Sequence, residues 1–403
     1  MNKGFLKAGH WPTLLSAFLY FDFSFMVWVM LGPLGVQIAR DLGLDPAHKG
    51  LMVATPTLAG ALLRPVLGTF ADHLGPKRTG AVAQAIVVLG LVGAWLLGVR
   101  SFDHLLALGV VLGLAGASFA VALPLASSWY PPEYQGTALG IAGAGNSGTV
   151  LAALFAPALA VAYGWPNVLG LAAIPLAIVL FLYLVLAKDS PARSAPKPFR
   201  AYITVLKQAD TWWFMFFYSI TFGGFVGLAS SLTIYFNDQY GLSPVVAGYC
   251  TAACVFSGSL LRPVGGAVAD RIGGIRTLSI LYLVAALALM VGETGLPEVW
   301  MAIAVFVVVM GALGMGNGAV FQLVPQRFRR EIGVMTGLVG MTGGIGGFYL
   351  ASSLGYSKQW TGSYQSGLLM FAMLAFGAFV GLTAVKHRWR STWEVAALGA
   401  ARI

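Results

Sequence analysis

The sequence predicts an all-α membrane protein with twelve transmembrane helices in two pseudo-symmetric six-helix halves. Three observations lead there. Only 9% of the 403 residues are charged and 58% are hydrophobic, against about 25% charged in a soluble domain. Apolar runs of roughly 20 residues, long enough to cross a bilayer, recur along the whole chain. The stretch ALLRPVLGTFADHLGPKRT at 61–79 returns as SLLRPVGGAVADRIGGIRT at 259–277.

Hydropathy places spans near 11–37, 47–70, 78–98, 104–129, 134–161, 166–187, 211–236, 244–268, 277–292, 298–322, 331–354 and 362–385. The first run is too long for a signal-peptide core, and no small-residue cleavage site follows it. It is read as a retained span. Position i matches position i+198 over long stretches: Arg64 with Arg262, Gly75 with Gly273, Gly113 and Gly116 with Gly311 and Gly314. Residues 1–188 and 211–403 are therefore the two halves. Residues 189–210, with DSPARSAPKPFR, form a cytoplasmic linker.

The net charge of +10 speaks of topology, not of a nucleic-acid partner. With both termini cytoplasmic, only Arg40, Lys49, Arg100 and Lys358 fall in outside loops. The positive-inside rule fixes that orientation in the cell membrane. Cys250 and Cys254 sit four apart in an apolar span without His or acidic neighbours. They read as small packing residues. No metal or cofactor is expected.

Arg64 lies eight residues before Asp72, about 12 Å deeper at 1.5 Å per residue. Arg262 shares that depth through the repeat. An intramembrane arginine is costly and faces the bundle interior, and it stays charged. Two of them in one cavity ask for an anion, which the planar guanidinium fork can hold through paired hydrogen bonds. The alternative is a structural pair tied to backbone carbonyls or to an internal carboxylate. Pro65 and Pro263 follow directly and each removes a helical N–H, a kink that would aim the arginine inward.

The fifth and eleventh spans are glycine-rich. One carries Gly140, Gly143, Gly145, Asn146 and Gly148; the other carries Gly337, Gly340, Gly343, Gly344, Gly346 and Gly347. Such spacing lets helix backbones approach and slide. Asn146 is polar near mid-depth, where an unpaired amide is costly.

The loop Gly68-x-x-x-Asp72-x-x-Gly75-x-x-Arg78, with its copy Gly266-x-x-x-Asp270-Arg271-x-Gly273-x-x-Arg276, resembles the signature of the major facilitator superfamily. Two parallel six-helix repeats are an alternating-access architecture. Asp72, Arg78, Asp270 and Arg276 are then expected to form a cytoplasmic gate in the outward-open state. The Arg64 and Arg262 contexts, Gly145-Asn146-x-Gly148 and the 343–347 glycine run resemble the nitrate/nitrite porter family, over essentially the whole chain. The resemblance implies that Arg64 and Arg262 clamp a planar anion. It implies that Asn146 and Tyr218 add hydrogen bonds, and that Phe25, Phe119 and Phe222 wall the site. Ala142, where some members have glycine, is a departure.

The chain has no nucleotide-binding motif, so coupling to a proton or a counter-anion is expected. Asp22 is the only acidic residue inside a span and away from its ends. It is either ionised and paired with an arginine, or a proton carrier. Proton-coupled nitrate uptake is the leading expectation, and nitrate/nitrite exchange is the alternative. Formate or oxalate is the rival substrate class. An enzyme or an anion sensor would need a catalytic constellation or an added domain, and the sequence carries neither. A monomer is expected.

Overall fold

The computed structural model describes residues 3–191, 199–328 and 331–393. Among them every regular element is a helix. Eleven helices are long and apolar enough to cross a membrane, from Pro46–Leu74 to Gln365–Ser391. The first expected span is instead two helices, Trp11–Trp28 and Gly35–Leu42, joined by turns over 29–34. Pro33 lies in that joint and has no N–H for a continuous helical ladder. The expected linker at 189–210 lies partly outside the described residues, as do Arg193, Lys197, Arg329, Arg330 and Arg402. A short helix, Phe199–Leu206, occupies part of the linker.

Spans 2 and 8 show how the repeat is built. Span 2 is Pro46–Leu74 and span 8 is Pro244–Ile272. The Asp45 carboxylate accepts from the His48 amide, and the repeat-related Ser243 hydroxyl accepts from Val246. Proline follows each cap, where its missing N–H costs nothing. Both helices stop at a glycine with positive φ, Gly75 at 101° and Gly273 at 95°. A side chain there would be strained, which accounts for glycine at that point of the repeated loop.

Two further spans depart from the expected single helices. Span 4 is Phe102–Gly116 followed by Phe119–Ser127. Span 5 is Pro132–Gly143, a tight 3₁₀ turn over Ala144–Ser147, then Gly148–Tyr163. Their repeat counterparts, span 10 (Val299–Arg327) and span 11 (Ile332–Thr361), are continuous, and so is span 7 (Ala209–Tyr240).

The first six and last six spans pack closely from one end of the bundle to the level of Arg64. A Cβ at Gly50 would lie 2.8 Å from Gly355 Cα, and one at Gly248 would lie 2.6 Å from the Ala153 carbonyl. Lys49 Nζ pairs with Asp238 at 3.1 Å, and Tyr364 donates to the same carboxylate at 2.8 Å. Towards the basic end, which carries Lys77, Arg78 and Arg276, the helices of spans 5 and 11 diverge from their neighbours. A Cβ at Gly140, Gly143, Gly333 or Gly337 would meet nothing within 4 Å. Asp72, Arg78, Asp270 and Arg276 all stand exposed there.

The Lys49–Asp238 pair is mostly shielded from solvent and joins span 2 to span 7. A pair of this kind contributes about 1 kcal/mol. Lys49→Gln should therefore move the balance roughly fivefold towards the state in which this end is open. Spin-label distances across the basic end should shorten accordingly; an unchanged distribution would mean that the pair does not bias the equilibrium.

Candidate functional site

The site forms where the three broken spans meet. The break in span 4 frees a backbone acceptor. The Ala120 amide bonds to Ala117 rather than to Gly116, so the Gly116 carbonyl takes no helical partner there. Arg64 fills the vacancy: its Nε and Nη2 both donate to Gly116 at 3.3 Å. Its Nη1 donates to the carbonyl of Gly340, in span 11. Arg64 is 1% exposed. Its guanidinium lies over Phe222 at 4.9 Å, Phe119 at 5.4 Å and Trp28 at 5.5 Å. Aromatic faces stabilise a desolvated cation.

Glycines make room for this cage. A Cβ at Gly60 would lie 3.0 Å from the Trp28 indole nitrogen, and one at Gly116 would collide with the indole. The indole instead slots between spans 2 and 4, donating to the Pro56 carbonyl at 2.8 Å. A Cβ at Gly343 would sit 2.8 Å from the rings of Tyr218 and Phe222. Without it, those two rings stack at 5.2 Å. Phe25 packs on Trp28 at 4.7 Å and on Phe222 at 6.4 Å.

Arg262 is held differently from its repeat partner. Its guanidinium also reaches Phe119, at 6.0 Å, and the Tyr218 hydroxyl is its polar neighbour. Its Nη1 is buried with no hydrogen-bond partner. Asn146 is 1% exposed, and both atoms of its amide are buried without a partner. Two cations and one phenol thus meet at a slot walled by flat rings, and the Asn146 carbonyl is joined to Ser259, one turn before Arg262 on span 8. Such a slot suits a planar, weakly hydrated monoanion.

The sequence is homologous along the same length. The model of the Major Facilitator Superfamily matches residues 14–351. The probable nitrate/nitrite transporter NarK2 of Mycobacterium tuberculosis is 34% identical, over 88% of this chain and 91% of the relative. The chain belongs to the nitrate/nitrite porter family of the major facilitator superfamily. The nitrite extrusion protein of Bacillus subtilis is 32% identical over 89% of this porter and 90% of its own length. The probable nitrate/nitrite antiporter NarK1 of Thermus thermophilus is 31% identical over 90% and 88%. The fold is shared with a bacterial homolog of the human lysosomal transporter Spinster, solved inward-facing and occupied. Its TM-score is 0.71 at 19% identity, over 100% of this chain and 99% of that one. The porter is a multi-pass membrane transporter and not an enzyme.

Asp22 does not pair with an arginine. It accepts from the Ser147 hydroxyl at 2.7 Å and from the Gly148 backbone, and no described ion pair includes it. The reason is the crossing of spans 1 and 5. A Cβ at Gly145 would lie 2.9 Å from the Asp22 amide nitrogen, and one at Gly148 would collide with the Asp22 carbonyl. The carboxylate therefore rests on the 3₁₀ turn of the fifth span. In the glycine runs, Gly344 abuts Ala61 and Gly347 abuts Thr57, while Gly346 abuts the Ser219 carbonyl. Gly340 is in ordinary contact with Arg64. Gly140, Gly143 and Gly337, expected to pack, instead face open space because the spans diverge there.

Several residues of the site escaped the sequence reading. Trp28 reads as one of many aromatics. Phe321 meets Tyr218 edge-on at 5.0 Å and Phe119 at 6.0 Å. Asn317 is fully buried with an unpartnered amide. The signal for Asn317 was available: Gly316-Asn317-Gly318 echoes Gly145-Asn146 in a glycine-rich span, and the 198-residue offset pairs Asn317 with Phe119.

The two classes of glycine make a paired prediction. Gly148→Ala pushes a methyl into the Asp22 backbone and should lower stability by about 2 kcal/mol or more. Gly143→Ala gains helix propensity in open space and should change stability by less than about 1 kcal/mol. Thermal unfolding of the purified protein separates them; equal melting temperatures would refute the span 1–span 5 contact.

Proposed function

We propose that this porter carries nitrate, and also nitrite, across the cell membrane by alternating access. The two moving bodies are residues 1–188 and 211–403, joined by the linker at 189–210. The observation that carries the reading is the shared aromatic platform: Arg64 and Arg262, from different bodies, lie over the same Phe119 ring. Arg262, Asn146 and Tyr218 offer hydrogen bonds to an anion between them, and Phe25, Phe119 and Phe222 close the flat faces. Formate shares the planar shape but offers one oxygen fewer than nitrate to these donors. The positive-inside rule assigns the basic end, and both termini, to the cytoplasm, so the state described is open inward. Asp72, Arg78, Asp270 and Arg276 close that end in the opposite state. The porter acts as a monomer, with the pathway inside one chain.

Anion exchange is the coupling mode that the geometry favours. The site holds two cations, and no described carboxylate forms an ion pair with either. Returning it empty moves uncompensated charge through the membrane field, at about 2.3 kcal/mol per charge per 100 mV. A monoanion bound in each direction halves the charge that must move. One observation favours proton-coupled nitrate uptake as a second reading: Asp22 is 6% exposed, lacks a cationic partner and touches the turn that carries Asn146.

Substrate and coupling are tested separately. Nitrate should raise the melting temperature of the purified porter by mass action, and sulfate should not; stabilisation by sulfate alone would sink the substrate assignment. In proteoliposomes, exchange predicts that nitrate uptake requires internal nitrate or nitrite and survives in Asp22→Asn without a pH gradient. Uptake into anion-free vesicles that follows the pH gradient, and is abolished by Asp22→Asn, would establish proton coupling instead.

A further inference from the structure

We propose that Asn317, in span 10, is a further anion-coordinating residue whose side-chain amide donates to the oxyanion beside Arg262. The inference rests on the anion-carrying reading above. Asn317 is 0% exposed, and neither Nδ2 nor Oδ1 has a hydrogen-bond partner. A buried amide left unpaired in an apolar interior is unfavourable, so its presence calls for a partner that comes and goes.

Its neighbours place it at the site. The next residue, Gly318, packs so tightly on span 8 that a Cβ would collide with the Arg262 carbonyl. The preceding residue, Gly316, would bring a Cβ to 2.5 Å from the Thr221 methyl. The Thr221 hydroxyl is itself buried without a partner. One helical turn on, Phe321 touches both Tyr218 and Phe119, and residues four apart share a helix face. Asn317 therefore lies where span 10 meets spans 7 and 8, at the level of Arg262 and Tyr218.

The repeat supplies an independent argument. Asn317 occupies the position of Phe119, the ring that meets both guanidiniums, and Gly344 occupies the position of Asn146. Each body thus contributes one buried orphan amide, from non-equivalent spans, the fifth and the tenth. With Arg262 Nη1, they give three buried donors that have no partner. That number matches the three oxygens of a trigonal oxyanion.

The test is a nitrate titration of the full-length porter in detergent, comparing wild type with Asn317→Leu and Asn317→Ser. Leucine fills the volume without donating; serine stays polar but cannot reach as far, and it decides the matter if the leucine variant does not fold. The expected result is a nitrate dissociation constant raised at least about tenfold in both variants, the loss of a hydrogen bond to a charged ligand. The ligand-free melting temperature of Asn317→Leu should match or exceed that of wild type, because the unpaired amide is gone. Unchanged nitrate affinity in a folded variant overturns the inference and leaves the anion reading intact. A variant with a lower ligand-free melting temperature but an undiminished nitrate-induced shift overturns it in favour of a packing role. A wild type that binds no nitrate overturns the anion reading and this inference together.

Discussion

The structure turns on keeping the Arg64 guanidinium charged inside an apolar bundle. An apolar interior solvates a charge poorly, so the charge must be met by protein groups or by a bound anion. Three aromatic faces and two carbonyls meet it. Each of these demands something elsewhere. The Gly116 carbonyl is available only because span 4 breaks after it. Trp28 reaches the guanidinium only because Gly60 and Gly116 have no side chains. The Gly340 carbonyl comes within range only because Gly344 and Gly347 let span 11 lie against Ala61 and Thr57. One buried charge thus dictates glycine positions on three spans.

The same bonds make the two arginines unequal. Arg64 is tied to carbonyls of both the early and the late spans, so it acts as a strut between them. Arg262 keeps an unpartnered donor and is the freer of the two to take an anion. The imbalance follows the backbone. Spans 1, 4 and 5 are all interrupted near the site, whereas spans 7, 10 and 11 run through as single helices. Interruptions expose polar backbone at mid-depth, and that is tolerated in a membrane only where protein or a cavity receives it. The early spans present backbone to the site, and the late spans present side chains.

The sequence showed the twelve crossings, the repeat and the depth of both arginines, because these follow from hydropathy and spacing. It also singled out Asn146, Tyr218 and the three phenylalanines through family resemblance; of these, Phe119, Phe222 and Tyr218 neighbour the guanidiniums, and Phe25 packs behind them on Trp28 and Phe222. The helix breaks were not legible. Nothing in Gly116-Ala117-Ser118 says that the ladder stops there, and the Trp28 indole beside Gly116 arrives only with the fold. Of the two readings left open for Asp22, pairing with an arginine is not the one seen: its carboxylate accepts from Ser147. Depth along a helix places a residue near an arginine, but the direction of the side chain is set by the crossing of spans 1 and 5. Asn317 was hidden in a different way: the offset that matched Arg64 to Arg262 also matched a phenylalanine to an asparagine. Identity across the repeat was easier to notice than a meaningful difference.

That crossing also explains why Asp22 matters without touching an arginine. The single Ser147 hydroxyl proton is within reach of both the Asp22 carboxylate and the carbonyl of Ala144, the first residue of the 3₁₀ turn. Asn146 sits within the same turn, and its carbonyl accepts from Thr149 and, across to span 8, from Ser259. The charge state of Asp22 therefore bears on the geometry of a four-residue segment that also holds the orphan amide and a contact to the opposite body. A carboxylate needs donors, and the turn supplies them; a protonated carboxyl has a donor of its own and can release Ser147. Whichever ion drives the cycle, the fifth-span turn links the state of Asp22 to the aim of Asn146, and through Ser259 to the helix that carries Arg262.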